Sequence, residues 1–452
     1  MRIKFLKQDL NQRRNLILNG SVPFTILLLS IPALMMGLIQ SAIPVIDGLF
    51  LNNFVGTLAA SAVTYCTPIV NITVALAQGL SVAGMAVIGQ ANGKGDFAAG
   101  RRISTQIIVF TFLLGFILAP LLILLAFPVS SHVTAEISHN VFLYLVLNAF
   151  VLPFSFMESI YNSIKNAQGK PEDTFIRMVI MLILKIVFNG LFIGLFHWGL
   201  VGSVMASLAS NFFITIWMFY ELFLKKNGDR FTLSGFHFDK KIIKNLLHIG
   251  FPAMLSSVML NLGFFLINNE VEKYGAIVLN GQGIANSITS ICFIIPSSFG
   301  SSITTMVSMN IGAKQSNKAK TSCLIGCIIS AISAVILISI IVPLSPKLTI
   351  LFTRDKAVLA IANRALHIYT YSVVGFGICM VQQGAFIGLG RTRITLVISI
   401  LRVWLLRYVF ILATEPVLSF YSVFWGNLFS NYVAALITTI MILRVRWVSD
   451  LE

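Results

Sequence analysis

Charge is what this chain has least of. Only 16 of its 452 residues are Asp or Glu, and charged residues of both signs make up 11%, against about 25% in soluble proteins. With 57% hydrophobic residues, that scarcity excludes an ordinary soluble domain. No G-x-x-x-x-G-K-[ST] loop occurs, and no polar stretch is long enough to hold one in a soluble domain. Work drawn from the chain's own ATP hydrolysis is therefore excluded. No hydrolase constellation stands out, and an enzyme is not expected. Alternation with period two is missing too, which excludes an outer-membrane barrel. The five cysteines all lie in or at the ends of apolar runs. Cys323 and Cys327 are four apart with no His or acid beside them, so they read as small packing residues rather than metal ligands. No metal or organic cofactor is expected. The first apolar run is too long for a cleavable signal and lacks an A-x-A site at its end, so none is expected.

What the chain has in abundance is long apolar runs. About twelve spans recur, at roughly 21–51, 59–85, 103–127, 137–163, 175–196, 199–223, 247–271, 276–308, 322–345, 358–388, 395–413 and 418–443. The expected fold class is an all-α polytopic membrane protein. The net charge of +16 raises the question of nucleic acid, and placement answers it. Of the 32 Lys and Arg, 24 fall before the first span or after the even-numbered spans, five fall in the alternate loops and three lie within spans. The positive-inside rule then puts both termini in the cytoplasm of a multi-pass protein in the cell (inner or plasma) membrane. The charge reports topology, and no nucleic-acid partner is expected.

The chain repeats itself. Aligning "IPALMMGLIQSAIPVIDGLFLNNFVGTLAASAV" with "FPAMLSSVMLNLGFFLINNEVEKYGAIVLNGQG" sets Pro32 on Pro252 and Gly56 on Gly275. "GQANGKGD" meets "SMNIGAKQ", with Gly93 on Gly312, and "NAQGKPEDT" meets "IGLGRTRIT", with Gly169 on Gly390. All four offsets lie between 219 and 221. Six spans per half bring the second half into the membrane from the same side, so the repeats are parallel, with a cavity expected between them near the midplane. The expected organisation is a cytoplasmic segment 1–20, a first lobe 21–223, a linker 224–246, a second lobe 247–443 and a cytoplasmic tail 444–452. In the linker, "FDKKIIKNLLHIG" reads either as an amphipathic helix on the inner leaflet or as a solvated linker running into a helix.

The runs "IPALMMGLIQSAIPVIDGLF", "VGTLAASAV", "ALAQGLSVAGMAVIGQANGKGD", "HIGFPAML" and "NIGAKQSNKA" resemble the multidrug and toxic compound extrusion family over about residues 20 to 445. The likeness is to its DNA-damage-inducible and archaeal-like branch. It implies two parallel six-helix repeats around a V-shaped central cavity, and export of organic cations and drugs in exchange for inward H+ or Na+. Its partners would be small organic cations and membrane lipids, and the protein would act as a monomer. Asp47 matches the family's cation-coupling aspartate, Asn189 its neighbouring asparagine and Gln40 a polar cavity residue. The second archaeal aspartate is Ile193 here, and the acids of another branch fall near Leu260 and Ile378. A single protonatable group is thereby favoured over a multi-carboxylate sodium site. A flippase for a lipid-linked oligosaccharide or other anionic lipid is the alternative function.

Asp47 is the only charge between Gly20 and Leu51. A charge at bilayer depth costs about 2.5–3.5 kcal/mol on insertion scales, so its retention points to use. An isolated acid there can gain a proton outside and lose it inside, and its neutral form lets the first span repack. Pro32 and Pro44 each remove a backbone donor and provide bending points. Other polar residues inside spans are cavity or substrate-binding candidates: Glu158, Lys185, Gln382 and Gln383. Glu158, near the cytoplasmic end of its span, also reads as locally paired, and Lys185 as its partner. Arg402 and Arg407 are five apart, about 140° around an α-helix, and so do not share a narrow face. Either they hold an anionic group or they pair inside the lobe.

Overall fold

The computed structural model describes residues 10–448 apart from 56, 132, 134, 226–229, 234–235, 275 and 353–355. Gly56 and Gly275, two landmarks of the repeat, therefore lie outside the described residues. The apolar runs become helices because a backbone in lipid must satisfy its own N–H and C=O groups. Their order is α1 (Leu10–Asn19), α2 (Val22–Phe54), α3 (Thr57–Lys94), α4 (Phe97–Ser131), α5 (Ala135–Ala167), α6 (Pro171–Asn189) and α7 (Gly199–Phe219). There follow α8 (Lys240–Glu272), α9 (Ala276–Gly312), α10 (Ser316–Ile350), α11 (Lys356–Gly388), α12 (Thr392–Ile400), α13 (Val409–Leu418) and α14 (Tyr421–Arg444). A π turn extends α6 over Gly190–Leu195, another extends α7 over Tyr220–Leu224, and a third joins α12 to α13 over Leu401–Tyr408. Among the described residues, twelve helical segments are long and apolar enough to cross a membrane.

Among the described residues of the linker, 236–239 are non-helical, and Lys240 opens a helix that continues to Glu272. The amphipathic stretch is thus the first turns of α8. Asp239 caps it, its Oδ1 accepting from the backbone N–H of Lys241 at 2.9 Å and Ile242 at 3.4 Å. The linker is fastened to α4, where Arg102 pairs with Asp239 at 2.9 Å and Gln106 donates to the His237 carbonyl at 2.6 Å.

The repeat is visible in the backbone itself. Four helices end with one residue in the left-handed region: Gly95 (φ 84°), Lys314 (φ 62°), Gly169 (φ 71°) and Gly390 (φ 83°). Each is followed by an N–H bonded five residues back, from Asp96 to Ala91, Gln315 to Asn310, Lys170 to Lys165 and Arg391 to Phe386. These closures satisfy the last carbonyls of α3, α9, α5 and α11. They recur at the offsets of the sequence repeat.

Two compact units divide the chain at unexpected places. One comprises residues 1–13 and 35–254, the other 14–34 and 255–452. Expected lobe boundaries lay in loops, whereas the three observed divisions fall inside helices: one within α1 between Arg13 and Arg14, and two at two residues beyond Pro32 and Pro252. Each unit shows why. In the second, Ile17, Ile26 and Leu29 join a core with Phe299 and Ile303, and Ser30 donates to Ser302 at 2.8 Å. Lys318 Nζ donates to the carbonyls of Leu18 and Gly20 at 2.7 and 2.9 Å. In the first unit, Gly250 lies against Gly79, Leu80 and Ala83. Gly250 is Ser30 moved by 220, and Ala83 is Ser302 moved back by 219, so one crossing serves twice.

Within the units, α5 packs on α3 and α4, and its counterpart α11 packs on α9 and α10. Glycine makes the α9–α11 contact possible: a Cβ on Gly384 would lie 2.2 Å from the Gly300 carbonyl oxygen. Thr304 Oγ1 seals the crossing with bonds to the carbonyls of Gly300 at 3.1 Å and Gly384 at 3.0 Å. Gly384→Val is expected to push the helices apart and destabilise the protein by about 1–3 kcal/mol. A thermal-unfolding midpoint in detergent at or above wild type contradicts that packing.

Candidate functional site

The site forms where α2, α6 and α7 meet in the first unit. Asp47 lies on α2, Lys185 and Asn189 one turn apart on a single face of α6, and Ser207 on α7. Lys185 Nζ is 2.6 Å from Asp47 Oδ2 and donates also to Ser207 Oγ at 2.9 Å. Asn189 Nδ2 donates to Asp47 Oδ1 at 2.9 Å. Both carboxylate oxygens are therefore engaged. The Lys185 side chain is 7% exposed and that of Asp47 22% exposed, so the pair is largely dry. Since the carboxylate can only accept here, the Asn189 amide turns its nitrogen to Asp47, and its buried Oδ1 is left without a hydrogen-bond partner. Immediately after Asn189 the helix widens into the π turn Gly190–Leu195, a form common at functional sites.

The isolated acid of the sequence reading is thus corrected. Asp47 has a counter-cation of its own, and Lys185 pairs with it rather than with Glu158. Glu158 meets Arg177 at 3.0 Å, in a charged group at the basic end of the same unit. There Lys165 joins Asp173 at 2.9 Å and Glu221 at 2.6 Å, and Arg13 of α1 pairs with Glu172. Gln40 is exposed two turns before Asp47 on α2 and does not join its hydrogen bonds. Pro32 is half-buried in a continuous helix, while the Pro44 side chain lies outside the described residues. Gln382 and Gln383 belong to the second unit. Gln382 donates to Thr439 at 2.7 Å and accepts from Thr438, tying α11 to α14, and Gln383 donates to Cys379 Sγ at 3.3 Å. Among the described residues no group of three His, Cys, Asp or Glu could hold a metal ion.

Ser207 was missed by sequence reasoning, as was the role of Lys185. The signal for Lys185 was present: it stands four residues before Asn189, already placed beside Asp47. An open groove of about 560 Å³ between α4 and the start of α8, lined by Phe110, Leu113, Phe238 and Leu247 among others, is built from different elements and shares no residue with the site.

A double-mutant cycle tests the pair. Lys185→Met strands a largely buried carboxylate and should destabilise by about 1–3 kcal/mol, and Asp47→Asn strands the ammonium similarly. The double variant should lose less than the sum of the two. Simple additivity of the unfolding midpoints contradicts the contact.

A family model described as MatE matches residues 32–191 and 252–412, one match beginning at each of the two repeat prolines. Among curated relatives, "Probable multidrug resistance protein YoeA" of Bacillus subtilis is 24% identical over 392 residues, covering 83% of each chain. "Multidrug export protein MepA" of Staphylococcus aureus is 22% identical over 427 residues, 90% of this chain and 92% of that one. A solved structure described as the outward-facing conformation of a multidrug resistance MATE family transporter of the MOP superfamily superposes with TM-score 0.87 at 22% identity. It covers 94% of this chain and 96% of its own, a likeness of fold.

Proposed function

Because the chain belongs to the MatE family of transporters, we propose that it is a secondary multidrug exporter, an antiporter that exchanges small organic cations for inward protons through Asp47. Relatives named for multidrug resistance and export support the drug side of this reading. The single observation that carries the coupling side is the Lys185 ammonium 2.6 Å from Asp47. Three cations compete for one carboxylate: the lysine, the incoming proton and the cationic drug. When Asp47 is ionised, Lys185 and Asn189 tie α2 to α6. A proton on Asp47 removes the charge that holds Lys185, which keeps its bond to Ser207, and α2 is left on one neutral hydrogen bond from Asn189. Loosened, α2 can bend at Pro32, next to the place where it passes from one compact unit to the other.

Competition for one group is what obligatory exchange requires. One charge moving down 100 mV supplies about 2.3 kcal/mol, comparable with the cost of parting a largely buried pair. A proton suits this site better than sodium, because a proton needs one carboxylate lone pair, whereas a sodium ion needs several oxygen ligands and the groups turned to Asp47 are an ammonium and an amide nitrogen. The protein works as a monomer in the cell membrane with both termini in the cytoplasm.

Ethidium efflux from vesicles under separately imposed pH and sodium gradients tests the reading. Export is expected to follow the pH gradient, and Asp47→Asn at normal expression is expected to abolish it. Undiminished gradient-driven efflux in that variant sinks the assignment, and dependence on sodium alone sinks the proton.

A further inference from the structure

Among the basic residues inside the spans are Lys185, Arg402 and Arg407. Lys185 has an acid beside it. Arg402 and Arg407 are 6% and 7% exposed, and none of the ion pairs found among the described residues includes either. The Nε and Nη1 of Arg402 and the Nε of Arg407 are buried without a hydrogen-bond partner. The second half also lacks the acid that serves the first, because the position 220 residues after Asp47 is Ile267. Among the described residues, this duplicated scaffold pairs neither guanidinium with a carboxylate.

The backbone turns the two side chains less far apart than an α-helix would. On an α-helix, residues five apart diverge, and the sequence reading separated them on that ground. Leu401–Tyr408 is instead a π-helix, closed by the Val409 N–H on the Trp404 carbonyl. Its bonds join residues five apart, so Arg402 and Arg407 diverge by less than they would on an α-helix. They lie within electrostatic reach of each other. Arg402 sits over Phe376 at 5.2 Å and Arg407 over Phe264 at 5.8 Å. These ring contacts offset only part of the cost of stripping two like charges of water. Phe264 is 44% exposed, so the Arg407 guanidinium lies one ring from the surface of its unit. The buried Tyr369 hydroxyl lies beside both Arg407 and Gln282, which puts further polar groups in the same place.

We propose that Arg402 and Arg407 form an oxyanion-binding site in the second unit, which takes a phosphate or carboxylate group carried by an amphiphilic ligand. A guanidinium fork offers paired N–H donors to two oxygens of one anion, and the Tyr369 hydroxyl beside Arg407 adds a further polar group. Bound anion supplies the charge that the protein withholds. The ring faces of Phe376 and Phe264 suit the apolar body next to such a headgroup. This site does not depend on Asp47 coupling and adds to the cation exchange proposed above. It widens the range of ligands to zwitterions and amphiphilic anions.

Calorimetric titration of the purified full-length protein in a neutral maltoside tests this, with 1-naphthyl phosphate, dihexanoyl phosphatidic acid and inorganic phosphate as probes. Saturable one-to-one binding of at least one probe is expected, weakened about tenfold or more in the Arg402→Gln, Arg407→Gln double variant and unchanged in Asp47→Asn. Tighter binding of the phosphatidic acid identifies a lipid headgroup as the source of the anion. Tighter binding of naphthyl phosphate identifies a soluble amphiphile, and tighter binding of inorganic phosphate overturns the need for an apolar body. Should the Gln variant fail to fold, the double Arg→Lys variant, which keeps the charge and loses the fork, is expected to show the same direction of change. No saturable binding of any probe to the wild type, or undiminished binding in a folded variant, overturns the site.

Discussion

An ionised group inside an apolar bundle has to be compensated within a few ångströms, and the first unit satisfies that demand by pairing. At bilayer depth a lone charge costs about 2.5–3.5 kcal/mol on insertion scales, and more by other measures. The Asp47–Lys185 contact turns two such charges into one neutral dipole, with Asn189 and Ser207 holding its two ends. At the basic end of the same unit the rule recurs in Arg13 with Glu172, Arg177 with Glu158, and Lys165 with Asp173 and Glu221. Neutral pairs of this kind give little net stability, while losing one partner is costly. That asymmetry makes the pair useful as a switch: whatever neutralises Asp47 changes the energy of Lys185, and with it the tie between α2 and α6.

Composition and apolar run length were enough to read the membrane class and the spans, because lipid leaves helices as the only spanning solution available to such runs, and the repeat was read from landmarks at one offset. Asp47 was legible for a related reason, since a charge in a long apolar run stands out against its cost, and Asn189 was named beside it by the family resemblance. The partner of Asp47 was not, because spacing along one helix does not fix how α2 and α6 are turned toward each other. Arg402 and Arg407 were misplaced for a more specific reason. A face computed at 3.6 residues per turn fails where the helix takes a π turn, and nothing in "LRVWLLRY" announces one. The helix-internal unit boundaries were hidden as well. They depend on which surface receives Ile26 and Leu29, a property of packing that helix periodicity does not carry.

Symmetry and chemistry are divided in this chain. What the two halves share is scaffold: the left-handed closures at Gly95 and Lys314 and at Gly169 and Gly390, the crossings of Ser30 and Gly250, and Pro32 and Pro252, each two residues before a unit boundary. Where the halves differ is where ionisable groups stand. Asp47 faces the repeat position of Ile267. At the 221-residue offset that joins Gly169 to Gly390, Lys185 corresponds to Leu406, and Arg402 to Met181. Duplication on its own yields equal sites in both halves. Here one unit holds a matched carboxylate and ammonium, and the other holds two buried guanidiniums that join no ion pair among the described residues. What the halves share is therefore scaffold, and what distinguishes them is where charge is placed on it.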